Sequence, residues 1–204
     1  MTDFTLQQIV LRLCALLLIV GAHGAALAGI TCALGDPGPR YDGRLSLNPL
    51  THLDLLGLAS GVLFSVGWIK PIAVDPGKIH PGGRGLIAII VLVSIVVILA
   101  IASLLRLARP LLLPLLGDTS SMLVFAMIET IEQLAVWFAL INLLPVPPLT
   151  GSLLWEGLIP KAGEFMRRSQ IYASLLLTIL AATGMITRVL APCERILARL
   201  MLGE

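Results

Sequence analysis

The stretch from Leu86 to Leu107 constrains this chain most. It is built of Ile, Val, Leu and Ala, and its first charge is Arg106. At about 1.5 Å rise per residue, a helix of that length reaches roughly 30 Å, the thickness of a bilayer's hydrocarbon core. Three further stretches are long and apolar enough to span. Leu6–Leu34 is free of formal charge after Arg12, Ser121–Leu144 carries Glu129 and Glu132, and Gln170–Leu190 is the fourth. Of the 204 residues, 57% are hydrophobic and 13% charged, and the mean hydropathy is +0.98. A soluble domain carries about 25% charged residues. No single core of this length hides so much apolar surface, so the bilayer must be the solvent. The expected fold is an all-α polytopic membrane protein with about four long transmembrane helices, forming one domain over residues 1–204.

A fifth apolar piece, Leu53–Val66, is too short to cross. It is expected to be tilted, sunken or re-entrant, which is tolerable only where protein surrounds it. After an Asp-Gly turn, Tyr41–Asn48 alternates like a strand, and Trp68–Asp75 is a second extended candidate. The two predict a small β-hairpin at the membrane edge. Cys193–Leu202 sets Glu194, Arg195 and Arg199 against Ile196, Leu197, Leu200 and Met201, which predicts an amphipathic C-terminal tail (193–204) on the membrane surface. The N-terminus, opening on Thr2-Asp3, lacks the basic region of a cleavable signal. If the short piece is re-entrant, the loops holding Arg40 and Arg44, Lys70, Lys78 and Arg84, and Lys161, Arg167 and Arg168 share one side. Their basic excess assigns that side to the cytoplasm.

The net charge of +2, without a basic patch or interleaved aromatics, gives no basis for nucleic-acid binding. Cys14, Cys32 and Cys193 have no metal-ligand or redox spacing and read as small hydrophobes. There is no haem, quinone or nucleotide motif, so no cofactor is expected.

Several motifs carry a family resemblance. They are Leu34-Gly-Asp-Pro37, Gly43-Arg-Leu-Ser-Leu-Asn-Pro49 with His52-Leu-Asp54, Gly67-Trp-Ile-Lys-Pro-Ile-Ala-Val-Asp-Pro76, and Asn142-Leu-Leu-Pro-Val-Pro-Pro-Leu149. In this order and spacing they resemble the site-2 protease family, the intramembrane zinc metalloproteases, from about Val20 to Leu190. Compact bacterial members carry close counterparts of each. The resemblance implies that fold, an integral membrane location in the bacterial cytoplasmic (inner) membrane, and a structural role for Gly67, Trp68, Lys70 and Pro71 and for His52 and Asp54.

The same resemblance exposes what has been lost. The family places His-Glu-x-x-His on one helix, so that two His at i and i+4 reach one zinc and the Glu activates its water. An Asp after the Pro-rich segment completes the ligands. Here His23 matches the first ligand, Gly24 replaces the Glu, Leu27 replaces the second His, and Thr150 replaces the Asp. The family's Gly-Pro-x-x-Asn motif is also missing, with Val93, Ser94 and Val97 at its positions. One imidazole and a hydroxyl cannot hold zinc as a protease does, and no base remains. His23 is a vestige, and no catalytic or metal residue is expected.

Other residues carry the candidate function. Gly21, Gly24, Ala25 and Ala28 form a small-residue face for close helix packing, within the chain or with another protein's helix. Glu129 and Glu132 share a face within a predicted span, Glu132 near its middle, and intramembrane acids are costly enough to signal function. Asn142 and the extended Pro145, Pro147 and Pro148 could meet a partner's backbone. The leading expectation is an inactive scaffold or adaptor binding transmembrane segments of other membrane proteins. It would be an accessory subunit of a larger complex, with a respiratory or photosynthetic assembly as one host. The alternatives are a transient regulator or chaperone of a membrane-anchored client, and a metalloenzyme rebuilt around His23, Glu129 and Glu132.

Overall fold

The computed structural model describes residues 5–80 and 85–202, with the side chains at 113, 156–158, 160–164, 166, 167 and 202 left aside. Of the basic loop residues, Arg84, Lys161 and Arg167 fall outside this description, as does the end of the tail at 203–204. Every element among the described residues is helical. α1 (Leu6–Ala33) starts at a capping box, in which Thr5 Oγ1 accepts from Gln8 N–H and Gln8 Oε1 from Thr5 N–H. The short α2 (Gly38–Tyr41), α3 (Pro49–His52) and α4 (Leu55–Phe64) precede the long α5 (Leu86–Leu112) and α6 (Asp118–Asn142). α7 (Leu153–Leu158), α8 (Pro160–Ala182) and α9 (Met185–Leu202) close the chain.

α1, α5 and α6 are each long and apolar enough to cross a membrane. They pack on one another around Ile19, Leu27, Ile90, Leu134 and Phe138, all nearly inaccessible. A second cluster joins Val66, Trp68, Ile141 and Leu149 to Leu177 and Ala181 of α8. The opposite face of α5 leaves Ile89, Leu92 and Val96 exposed, as a lipid-facing stripe requires. These spans make the protein an integral membrane protein.

The fourth predicted span is not continuous. Arg168–Ala182 and Met185–Met201 are long and apolar enough to cross only together, and they are bent by 76°. The break falls at Gly184, whose φ of +70° suits glycine and ends α8 with its N–H on Ala181 O. The amphipathic stretch accordingly extends back to Met185 and packs against α6 and α8, instead of starting at Cys193 as a separate surface tail. α4 is the predicted short apolar piece. Asp54 caps it by accepting from Gly57 N–H at 2.8 Å.

The β-hairpin does not form among the described residues. Pro37 and Pro39 turn the chain into α2, and Asn48-Pro49 starts α3, with Asn48 Oδ1 accepting from Leu50 N–H at 3.0 Å. The alternating stretch is thereby divided between two helix ends. Trp68–Asp75 has no helix, but its pairing is one isolated antiparallel bridge, Leu53 to Ile69. Lys70 N–H donates to His52 O at 2.8 Å, and Pro71 has no N–H with which to extend the ladder.

Candidate functional site

Four buried groups from four parts of the chain meet at the place where the motif resemblance would put a metal centre. His23, near the middle of α1, is fully buried. Its Nδ1 lies 3.2 Å from Ser94 O on α5 and its Nε2 lies 2.9 Å from Thr150 Oγ1. A carbonyl can only accept, so Nδ1 carries the proton and Nε2 accepts from the Thr150 hydroxyl. Asn142, at the end of α6, donates through Nδ2 to Gly67 O and Phe138 O, each at 2.9 Å. Its Oδ1 lies 3.5 Å from Thr150 N and 3.4 Å from Thr150 Oγ1. Thr150 has one hydroxyl proton, and the shorter contact to His23 takes it. Phe138 meets the imidazole edge-on, with ring centroids 5.3 Å apart at 74°. The result is a closed hydrogen-bonded chain in which the lone pair that would face a metal is already used.

Of the two remaining motif positions, Gly24 is closed sterically. A Cβ on Gly24 would overlap the imidazole of His52, which stands directly over it. His52 Nε2 donates to Ser46 O at 2.8 Å, which leaves Nδ1 buried and without a partner. Gly21 is covered in the same way, since a Cβ there would come to 2.8 Å from Leu47 O. The two glycines of the small-residue face of α1 are thus covered by the chain's own segment 47–52. Gly21, Gly24 and Ala28 are buried and Ala25 is half-buried. Leu27 is 1% exposed. His52 holds its imidazole below the ordinary value of 6.5, mainly because burial disfavours the charged form and further because of the nearby Arg44, with the Ser46 hydrogen bond opposing.

This donor set does not fit a protease-type zinc. Of the four positions, His23 alone keeps a metal-ligating side chain, and a neutral Thr hydroxyl already occupies it. Among the described residues, no three His, Cys, Asp or Glu converge to hold a metal ion. The rebuilt cluster of His23 with Glu129 and Glu132 does not assemble either. Glu132 is 3% exposed. It pairs instead with Arg106 Nη1 at 3.3 Å and Arg109 Nη2 at 3.0 Å. Ser94, bonded to His23, and Arg106, bonded to Glu132, are about 18 Å apart along α5. The run of α5 from Leu86 to Leu105 is uncharged and about 30 Å long. Glu132 therefore lies remote from His23, and its charge is met by two cations of α5. Glu129 is exposed one turn away.

Beside the closed site lies a cavity of about 190 Å³. Leu27 and Thr150, two of the replaced positions, form part of its wall, with Pro148 and the extended Ile69–Ala73. Pro71 faces it, whereas Trp68 is buried behind it and Lys70 is exposed. Pro147 is buried next to Pro148, and the Pro145 carbonyl accepts from Trp155 Nε1 at 2.9 Å. The residues that sequence reasoning missed are Arg106 and Arg109 as partners of Glu132, Thr150 as partner of His23, and His52 as the cover of Gly24. The first pair was legible, because i, i+3 cations and i, i+3 acids lie on two apolar helices joined by a short turn.

No protein-family model matches the chain, and no solved structure matches it. The chain is similar to the protein named "Putative zinc metalloprotease YwhC" from Bacillus subtilis (strain 168), being 28% identical over 178 residues, which cover 83% of this chain and 79% of the relative. That similarity suggests the family that the motifs resemble.

Proposed function

We propose that this protein is a non-catalytic, site-2 protease-like membrane scaffold. It acts as an adaptor or accessory subunit that holds transmembrane segments of other membrane proteins in a bacterial cytoplasmic membrane. The observation that carries this reading is the Thr150–His23 hydrogen bond. The one remaining ligand-type nitrogen is consumed by a neutral side chain, and the water-activating carboxylate is replaced by a glycine lying under His52. These groups supply neither the ligand set nor the carboxylate base of the family that the motifs resemble. The cavity that Leu27, Pro148 and Ile69–Ala73 enclose beside them still offers an apolar wall and extended backbone, which suit holding a segment without cleaving it.

The test is purification of the tagged chain from its native membranes in mild detergent, with co-purifying chains quantified by mass spectrometry. A membrane partner at a fixed ratio near one supports an accessory subunit. Recovery of several clients at low ratio would instead support a transient regulator. A chain recovered alone, cleaving a transmembrane substrate in vesicles, would overturn the scaffold reading.

A further inference from the structure

At Gly184, α9 turns by 76° away from the path of α8 and presents an outer face of its own. Three arginines lie on that face. Arg188, Arg195 and Arg199 are spaced i, i+7 and i+11, which at 3.6 residues per turn sets them within about 40° of arc along about 16 Å of helix. All three are exposed. Among the described residues none of them pairs with a carboxylate. Arg195 donates through Nε to Ala191 O at 3.3 Å, which leaves its Nη groups available. Glu194 is half-buried and turned to another side of α9, into a cavity it shares with Arg106 and Arg109. The stripe thus keeps its positive charge uncompensated.

These arginines do not stand in a polar surface. Met185, Val189, Ile196 and Leu200 form a second stripe beside them, about 60–120° round the helix. Each of the four is more than half exposed. Ile186, Leu190 and Ala198 are turned inward, where α9 packs against α6 and α8. The two outer stripes ask for different surroundings. The apolar one fits acyl chains, whereas unpaired guanidiniums are costly in hydrocarbon and reach for water and anions. The headgroup layer of a bilayer supplies both surroundings side by side. An acidic transmembrane helix of another protein would have to bring carboxylates spaced along the same stripe, each costly to bury in its turn.

We propose that α9 binds anionic phospholipid headgroups. Arg188, Arg195 and Arg199 donate to phosphate oxygens, and Met185, Val189, Ile196 and Leu200 rest among the acyl chains. A guanidinium presents paired N–H donors to a phosphate, and the net charge of the stripe selects an anionic lipid over a zwitterionic one. Lipid selection at α9 does not depend on whether the chain holds a partner protein.

The full chain, carrying Cys14→Ala and Cys32→Ala, is labelled at Cys193, which is exposed on α9. It is placed in phosphatidylcholine nanodiscs, and energy transfer is read to a trace of tail-labelled phosphatidylglycerol or, separately, tail-labelled phosphatidylcholine. The anionic lipid is expected to be enriched about fivefold beside α9, the scale of one arginine at an anionic surface. The enrichment should shrink as salt is raised. Arg188→Gln/Arg195→Gln/Arg199→Gln should bring the two lipids to equal transfer at unchanged helix content. Arg188→Lys/Arg195→Lys/Arg199→Lys should keep the preference, as should Arg40→Gln, at an exposed arginine of α2. Equal transfer to the two lipids in the parent, or a preference that survives the glutamine substitutions, overturns the proposal. A membrane protein that co-purifies with the parent and is lost in the glutamine variant, without any lipid preference, would overturn it in favour of an acidic partner.

Discussion

The Thr150 hydroxyl donates to His23 Nε2 across 2.9 Å and joins α1 to the segment that follows α6. Both groups are buried, and Thr150 is the partner that satisfies His23 Nε2. Thr150→Val keeps the shape and removes the donor. It should cost about 1–3 kcal/mol, the penalty for leaving a buried acceptor unmade. Thr150→Ser should retain most of the stability. Unfolding in detergent measured on both variants checks this, and equal midpoints for Val and Ser would contradict it.

Gly24 and His52 should be energetically coupled. Gly24→Ala forces the His52 ring aside and is expected to destabilise by roughly 1–3 kcal/mol, as overpacking does. Gly24→Ala combined with His52→Ala should cost less than the sum of the two single changes, and a double-mutant cycle measures the difference. The same contact predicts that Gly24→Glu, the change that introduces the acid found in the family the motifs resemble, unfolds the local packing rather than creating a base.

Much of this architecture was legible in the sequence and part was not. The α1 and α5 spans follow directly from long apolar runs nearly free of charge, and α6 from an apolar run that carries two acids, because in lipid the backbone satisfies itself within a helix. The break at Gly184 was hidden inside an apolar run, where hydropathy does not register a single left-handed residue. The hairpin failed because Asn48-Pro49 starts a helix more strongly than the alternation of Leu45 and Leu47 builds a strand. At the site, the differences from the motifs of the resembled family could be read one by one. That Thr150 and His52 fill the resulting space is a tertiary fact with no local signal.

His52 makes stability depend on pH. Its folded-state pKa lies below the ordinary 6.5 because burial disfavours the imidazolium. As pH falls through about 6.5, the unfolded chain takes up a proton that the folded chain does not, so stability drops. The loss levels off below the folded value, and stability is fully present above the unfolded one. His52→Asn keeps a donor for Ser46 O without the titration. Denaturation midpoints taken from pH 7.5 down to 5.5 should fall less in this variant than in the parent.

Glu132 should matter more to stability than Glu129. Glu132→Ala leaves Arg106 and Arg109 unpaired, Arg109 being 15% exposed, and is expected to cost about 3 kcal/mol. Glu129→Gln, at an exposed position with no cation partner, should stay within about 0.5 kcal/mol of the parent. Thermal unfolding of the two variants in one detergent checks the order.

The zinc content of the chain, purified from zinc-replete membranes and measured by plasma mass spectrometry, tests the central claim most directly. A closed joint of His23, Thr150 and Asn142 predicts zinc far below one ion per chain, unchanged in His23→Ala. One zinc per chain, lost in His23→Ala, would contradict it and make this site a metal centre.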